Sequence, residues 1–124
     1  GMGLNESDDS KEGITAYLKR NPNTCFVARK GARIVGVILS GHDGRRGFIH
    51  HTAVAVSERK QGIGSALVDA ALKSLKQEGI KKVALVVFRN NETGDAFWEK
   101  QGFSVREDLN YRNKALANLV RIDT

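Results

Sequence analysis

The sequence predicts an α/β fold of the α+β type, with a mixed and mostly antiparallel central sheet. In the first half of the chain, three β-rich runs are separated by glycine-containing turns, which is typical of an antiparallel meander. In the second half, a segment with helical spacing precedes a nearly all-apolar run, which is typical of a strand buried on both faces and parallel to its neighbour. The 124 residues, 40% of them hydrophobic, suffice for one core, so we expect a single domain over residues 2–124.

The first half begins with a helix and continues with the three strands. Cap-type residues at 7–10, followed by Ile14, Tyr17 and Leu18 at helical spacing, predict a short amphipathic helix over roughly residues 8 to 20. The segment TCFVARKGARIVGVILSG is divided by Lys30 and Gly31, which indicates a hairpin. After the glycine-rich turn GHDGRRG, the segment FIHHTAVAV predicts a third strand.

The second half predicts two more helices and further strands. Apolar residues from Ile63 to Leu75 keep helical spacing, which predicts a helix over roughly residues 62 to 78 that ends at Gly79. The run KKVALVVF predicts a buried strand, and NETGDAFWEKQG predicts a short helix closed by Gly102. We expect strands in FSVRED and LNYRNKALANLV, although the second also fits a helix.

Charge and cysteine content narrow the classes of partner. A net charge of +6 favours an anionic partner, such as a phosphorylated cofactor, a nucleic acid or an acidic surface. Cys25 is the only cysteine, so the chain has no internal disulfide and no spacing typical of a metal site, and we expect no metal. No apolar stretch approaches the roughly 18 residues of a membrane-spanning helix and no leader is recognisable, so we expect a cytoplasmic protein with no membrane partner.

The segment SERKQGIGSAL places two glycines and two cations just before the second predicted helix. Unpaired backbone N–H groups and the positive end of a helix dipole bind an oxyanion, and Gly62 and Gly64 permit close backbone approach. Arg59 and Lys60 add positive charge, which suits a pyrophosphate. The alternative is that the glycines only permit a tight connection. The segment lacks the third glycine and downstream acidic residue of the dinucleotide fingerprint, and the Gly-Lys-Ser/Thr of the P-loop.

The remaining pattern, Arg59 followed after two residues by Gly62-Ile63-Gly64, resembles the acyl-CoA pyrophosphate loop of the GNAT family of N-acetyltransferases. The resemblance extends over about residues 24–115 through HTAVAV, RKQGIGSALVDAAL, VALVVF, Asn91 and FWEKQGF. The GHDGRRG turn is similar to that of the bacterial YpeA-like subgroup. The resemblance implies helices on both faces of the sheet and a V-shaped splay between the fourth and fifth family strands.

The same resemblance implies an N-acetyltransferase that transfers an acetyl group from acetyl-CoA to an amine of a small molecule or a protein. It assigns Val54, Ala55 and Val56 to hydrogen bonds with the pantetheine arm, as in strand augmentation. It assigns the pyrophosphate to backbone N–H groups, flanked by Arg59 and Lys60; the five residues that supply these groups are Gln61, Gly62, Ile63, Gly64 and Ser65.

Two further positions follow from the family pattern. Asn91 matches a position that contacts the cofactor, although an ordinary helix cap would also suit its type and place. Trp98, which we also expect to contact the cofactor, stands where relatives commonly have a tyrosine that protonates the departing thiolate, and an indole cannot act as that acid.

Catalysis requires a group that removes a proton from the ammonium form of the acceptor. His50 and His51 lie in the strand upstream of the predicted binding edge, and strand alternation predicts that their side chains point to opposite faces. One of the two is our candidate base. Histidines satisfied by neighbouring groups are the alternative.

The chain begins close to its first predicted helix, so the first strand and helix of the family are expected to be missing. An edge exposed in this way invites pairing with another chain, and we therefore expect a homodimer, with strand exchange as a variant. Two other function classes stay open: a CoA-binding module without catalysis, suggested by Trp98, and a basic nucleic-acid-binding domain. The second lacks a stacking platform and any recognisable motif, so we expect no nucleic-acid partner.

Overall fold

The computed structural model describes residues 8–120. Its contacts define two compact units, one of which is Asn21–Phe103. The other comprises the terminal segments, of which residues 8–20 and 104–120 are described. The prediction of a single domain over residues 2–124 stays a prediction.

The terminal unit contains helix α1, Lys11–Arg20. Its start is fixed by Ser10, whose Oγ accepts the N–H of Gly13 at 3.1 Å and whose carbonyl accepts the N–H of Ile14 at 2.9 Å. Such a serine cap satisfies N–H groups that have no partner inside the helix. The predicted helix is confirmed, with its first turn beginning three residues later than the sequence pattern indicated.

Residues 104–120 contain neither helix nor strand, so the two strands predicted in FSVRED and LNYRNKALANLV are wrong. The apolar side chains that suggested them are exposed, with Val105 at 64% and Leu116 at 94% of full accessibility. An alternating pattern yields a strand only where a neighbouring strand accepts its hydrogen bonds and its apolar face is buried. Arg106 and Asp108 of this segment form a local ion pair at 2.7 Å.

The larger unit is built on a four-stranded sheet in the order β1-β2-β3-β4. The strands are β1 Phe26–Lys30, β2 Arg33–His42, β3 Gly47–Val54 and β4 Val83–Leu85. The first two pairings are antiparallel and the β3–β4 pairing is parallel. The predicted mixed, mostly antiparallel sheet is therefore confirmed, as is the hairpin turn at Gly31, whose φ of +65° favours glycine.

The parallel pairing covers only a short part of β3. It runs from Gly47 opposite Val83 to Ile49 opposite Leu85, whereas β3 continues to Val54. The predicted strand in KKVALVVF is correspondingly limited to three residues. The two strands thus part after Ile49, which is where the expected splay opens.

A β-bulge lies at the same point of β3. Ile49 pairs with Ser40 and His51 pairs with Leu39, so β3 advances two residues while β2 advances one. His50 is the extra residue. A bulge of this kind bends the strand and resets the alternation of its side chains.

Helix α2, Ile63–Gln77, packs against the sheet and closes the core. The buried cluster consists of Ile38, Ile49, Leu67, Val68 and Ala71. Full burial of each larger aliphatic side chain contributes about 1.5–3 kcal/mol. Helix and sheet approach closely because β2 has a glycine facing α2: a Cβ on Gly36 would lie 3.0 Å from Leu67 Cδ1. The predicted helix is confirmed.

Helix α3, Glu92–Lys100, adds an aromatic cluster to this core. Trp98 contacts Phe97 and Phe103 edge to face, with ring centroids 5.0 and 5.3 Å apart. Gly102, with a φ of +91°, follows the helix as predicted. Within residues 8–120, none of the helices has the length and apolar character needed to cross a bilayer.

Candidate functional site

The candidate site lies where β3 leaves β4 and the chain turns into α2. The strand ends at Val54, and a single 3-10 turn, Val56–Glu58, follows. Ala55 donates its N–H to the carbonyl of Val35 at 2.8 Å, so the hydrogen bonding to β2 continues one residue past the strand. Because backbone groups alternate along a strand, the N–H of Val54 points to the opposite edge, where β4 has parted. Of the three predicted edge residues, Val54 therefore faces the opening, and Val56 belongs to the turn.

The amino end of α2 presents backbone N–H groups without a side-chain cap. The intrahelical ladder begins with Ala66, which donates to the carbonyl of Gly62 at 3.0 Å. The preceding N–H groups, of Ile63, Gly64 and Ser65, have no acceptor within the helix. Gly62 occupies the cap position and has no side chain to bond them. This end of the helix, with its positive dipole, is suited to an anion.

The two glycines of the motif have different structural roles. Gly62 has a φ of +82° and a Cβ there would meet nothing within 4 Å, so its conformation is what requires glycine. A Cβ on Gly64 would lie 3.2 Å from Cε1 and 3.3 Å from Cζ of Phe97. Gly64 therefore lets α2 pack against α3, a role that the motif alone did not reveal.

Residues 59–62, which we call the 59–62 loop, carry the two predicted cations. The Nε of Arg59 donates to the carbonyl of Val54 at 3.2 Å, which places its guanidinium at the end of β3. Lys60 has a φ of +65°, and within residues 8–120 it is the one non-glycine residue with a positive φ. Both side chains are exposed. The loop thus presents positive charge beside the uncapped end of α2.

A buried carboxylate lies directly before this loop. Glu58 accepts hydrogen bonds from Lys30 Nζ at 3.0 Å, Arg33 Nη2 at 2.8 Å and Gln61 Nε2 at 3.3 Å. The hydrogen bond from Lys30, together with the charges of both cations, holds the pKa of Glu58 below its ordinary value, although desolvation acts in the opposite direction. Sequence reasoning missed Glu58. The signal that could have found it was an acidic residue directly before the two cations Arg59 and Lys60.

The bulge places both candidate histidines on one face of the sheet. The ring of His50 contacts that of Phe48, with centroids 4.7 Å apart, and Phe48 neighbours a core residue and so points away from the core. His51 lies opposite Leu39, whose side chain alternates with that of the core residue Ile38. The prediction of opposite faces is therefore wrong, because simple alternation does not hold across a bulge. His50 is exposed and His51 is half-buried.

Asn91 and Trp98 both have structural contacts. The Oδ1 of Asn91 accepts the N–H of Gly94 at 3.0 Å and so caps α3. Trp98 is part of the aromatic cluster described above. Sequence reasoning missed a hydrogen bond between α2 and the end of α3. Gln101 Nε2, at the C-cap of α3, donates to Ser65 Oγ in α2 at 2.8 Å.

The described part of the chain has no group of three histidine, cysteine or acidic residues that could hold a metal ion. The half-buried thiol of Cys25 donates to the carbonyl of Ser40 at 3.2 Å. Burial raises the pKa of this thiol, which favours the unreactive protonated form.

Comparison with known sequences gives one family. Residues 3–103 match the model described as the acetyltransferase (GNAT) family. The acetyltransferase plu1384 of Photorhabdus laumondii is 31% identical over 103 residues, which are 83% of this chain and 72% of that protein. Acetyltransferase SG1711 of Sodalis glossinidius is 28% identical over 109 residues, which are 88% of this chain and 77% of that protein.

Solved structures give the same fold. A GNAT family acetyltransferase from Elizabethkingia anophelis with acetyl-CoA bound aligns with a TM-score of 0.68 at 26% identity, covering 81% of this chain and 65% of that one. The PaiA N-acetyltransferase from Thermoplasma acidophilum in complex with coenzyme A aligns with a TM-score of 0.73 at 23% identity, covering 82% of this chain and 67% of that one.

Proposed function

Because the chain belongs to the acetyltransferase (GNAT) family, we propose that it is an N-acetyltransferase that transfers an acetyl group from acetyl-CoA to an amine of a small molecule or a protein. The observation that carries most weight is the uncapped amino end of α2, flanked by Arg59 and Lys60, at the point where β3 has lost β4. An anionic ligand is favoured there, and an extended ligand arm has beside it the strand edge that β4 has left, where Arg59 Nε donates to the carbonyl of Val54.

The residues present fit a coenzyme A pyrophosphate. The N–H groups of Ile63, Gly64 and Ser65 lack intrahelical acceptors, and the Gly62 conformation keeps the approach open. We assign the backbone of Gln61 and Gly62 to the same cradle. Arg59 and Lys60 supply positive charge. The acetyl-CoA bound in the Elizabethkingia anophelis structure supports this assignment.

The strand edge and the caps supply the remaining contacts. We assign the pantetheine arm to the backbone of Val54 and Val56, with the N–H of Val54 as the group that points into the opening. The backbone of Ala55 is bonded within the protein, since its N–H donates to Val35 and its carbonyl accepts from Glu58. The cap at Asn91 uses the amide oxygen, which leaves the amide nitrogen for a cofactor contact. Trp98 would contact the cofactor only through the edge of the aromatic cluster.

Acetyl-CoA supplies the acetyl group as an activated thioester, so the chain itself needs no nucleophile. The N–H of Val54 would donate to the thioester oxygen as negative charge develops on it. His50 or His51 would remove the proton from the acceptor ammonium, because both residues follow Ile49, the last residue of β3 that pairs with β4.

A second candidate function is coenzyme A binding without efficient catalysis. The observation in its favour is Trp98, which has no hydroxyl to protonate a departing thiolate and whose ring packs against Phe97 and Phe103. Coenzyme A thiolate is a tolerable leaving group, so we rank acetyl transfer first.

Two measurements test the proposal. Isothermal titration calorimetry with acetyl-CoA should give saturable binding, with ATP and NAD at equal concentration binding more weakly. Coenzyme A release should then be measured with a panel of amines and peptides. Binding without release from any acceptor would favour the second candidate, and calorimetric binding of nucleic acid but not of acetyl-CoA would reject both.

We also propose a homodimer in the cytoplasm. Within residues 21–103, β1 lies at the edge of the sheet, and Val27 in that strand is 49% exposed. Light scattering coupled to size-exclusion chromatography should give twice the monomer mass, and a monomer at working concentration would reject the dimer.

A further inference from the structure

We propose that Glu58 is a positioning residue that holds the 59–62 loop in the conformation that binds the coenzyme A pyrophosphate. The inference rests on the proposed function, because it concerns the same site. We assign Glu58 no contact with the cofactor or the acceptor. It acts through its hydrogen bond to Gln61 and its ion pairs with Lys30 and Arg33.

Glu58 is far more buried than the two cations that bind it. Its side chain is only 6% exposed, whereas those of Lys30 and Arg33 are 62% and 63% exposed. Removing a carboxylate from water is unfavourable unless it is well paired, so a simple surface ion pair would not need this arrangement. The buried carboxylate is bonded to Gln61 of the loop, whereas its two cationic partners are exposed.

The hydrogen bond from Gln61 to Glu58 spans the strained part of the loop. Between them lie Arg59 and Lys60, and Lys60 has a φ of +65° that is unfavourable for a residue with a Cβ. Such a conformation persists only where surrounding contacts determine it. The hydrogen bond from Gln61 Nε2 to Glu58, at 3.3 Å, joins the residues that flank Arg59 and Lys60.

The anchor for this turn is the tip of the β1–β2 hairpin. Lys30 and Arg33 are register partners that flank the turn at Gly31. Both bind the carboxylate, one through each oxygen. The loop is thereby fixed to the sheet, and the N–H groups at the start of α2 are presented in one orientation before any ligand arrives.

A purely electrostatic role for Glu58 predicts the opposite change in acetyl-CoA affinity when this residue is removed. The direction of the change therefore tests the proposal. Coenzyme A is polyanionic, so removing a nearby negative charge should strengthen its binding if charge were the only effect. If Glu58 positions the loop, removing it should weaken binding because the loop must be ordered when the ligand binds.

The first experiment is calorimetry with acetyl-CoA on the wild type, Glu58→Ala and a matched control. The control is Glu78→Ala, which removes a carboxylate paired with His42 at 2.8 Å outside the proposed site. We expect Kd to rise about tenfold for Glu58→Ala, a factor that corresponds to about 1.4 kcal/mol, and to stay within twofold for Glu78→Ala. Unchanged or tighter binding by Glu58→Ala, or equal weakening in both variants, would overturn the proposal.

A ligand-free measurement separates this proposal from the failure of the proposed function. Hydrogen exchange of peptides covering residues 57–66 should be faster in Glu58→Ala than in the wild type and unchanged in Glu78→Ala. If the wild type does not bind acetyl-CoA, the proposed function is rejected, and with it the role of Glu58 in cofactor binding. Unchanged exchange would reject the positioning role whether or not the cofactor binds.

Two further variants keep the test decisive if Glu58→Ala does not fold. Lys30→Gln combined with Arg33→Gln releases the carboxylate from the hairpin without replacing any residue of the loop, and hydrogen exchange of residues 57–66 should be faster than in the wild type without ligand. Exchange is the measurement used for this variant, because the loss of two cations weakens the binding of a polyanion by charge alone. Lys60→Gly removes the strain of a positive φ at a residue with a Cβ. It should therefore lower the affinity for acetyl-CoA less in the Glu58→Ala background, or in the Lys30/Arg33 double variant, than in the wild type. An equal effect in both backgrounds would show that Glu58 does not act through this turn.

Discussion

Substitutions at Gly62 and Gly64 should have different consequences, because the two glycines are required for different reasons. Alanine at Gly62 must adopt a φ near +82°, for which the penalty is about 1–2 kcal/mol. No neighbouring atom lies within 4 Å of the new Cβ, so repacking cannot relieve this penalty. The free energy of unfolding of Gly62→Ala should therefore fall by about 1–2 kcal/mol in any background.

Alanine at Gly64 is subject to two opposing effects. Replacing glycine within a helix gains about 0.8–1.0 kcal/mol of helix propensity. The new Cβ, however, lies 3.2 Å and 3.3 Å from two ring carbons of Phe97, which must move by a few tenths of an ångström. We expect the effects to offset each other in the wild type. In a Phe97→Leu background, where the ring is absent, Gly64→Ala should stabilise by up to about 1 kcal/mol, the value for a helix interior, because Gly64 lies in the first turn of α2.

Urea denaturation of the wild type, the two alanine variants, Phe97→Leu and both double variants measures these free energies. The slope against denaturant should be the same throughout, so that differences report stability. Separate roles for the two glycines are excluded if Gly62→Ala is as stable as the wild type, or if Phe97→Leu changes the effect of Gly62→Ala as much as that of Gly64→Ala.

Three other predictions concern single side chains. The folded-state pKa of Glu58 is lowered, so its stabilisation is complete above the unfolded value of about 4.3 and is lost as pH falls through the folded value. The stability difference between the wild type and Glu58→Gln, measured by urea denaturation, should shrink below about pH 4.3, and a pH-independent difference would contradict this. Asn91→Ala should lower the free energy of unfolding by about 1 kcal/mol, whereas Asn91→Asp should preserve the cap; if Asn91→Asp also keeps full acetyl-CoA affinity in calorimetry, the amide nitrogen has no cofactor role. Replacing the catalytic one of His50 and His51 by Gln should reduce the rate of coenzyme A release at pH 7 by about 10²-fold or more, with acetyl-CoA affinity nearly unchanged; equal rates in both variants would eliminate both as bases.

Local chemistry made the elements that position the site predictable. The hairpin at Gly31 and the helix after Gly62 both depend on a positive φ that glycine adopts readily, and the sequence marks such positions directly. The all-apolar run that contains β4 was recognisable, but its length was not. Where β4 parts from β3 is set by the whole sheet rather than by the three residues Val83–Leu85 themselves.

The features that sequence reasoning missed all depend on contacts between distant segments. The bulge at His50 arises from the pairing of β3 with β2, and it reversed the expected orientation of one histidine. Glu58 is 25 and 28 residues from its two cationic partners. The packing of Gly64 against Phe97 likewise joins separate helices. No local pattern encodes such contacts.

Backbone amide chemical shifts during titration with acetyl-CoA report which N–H groups contact the bound cofactor. If the amino end of α2 binds the pyrophosphate and the open edge of β3 binds the pantetheine arm, the largest shifts should be at Ile63, Gly64, Ser65 and Val54. ATP and NAD at the same concentration should cause smaller changes at these amides. Saturable binding of acetyl-CoA that leaves these four resonances in place would contradict the account.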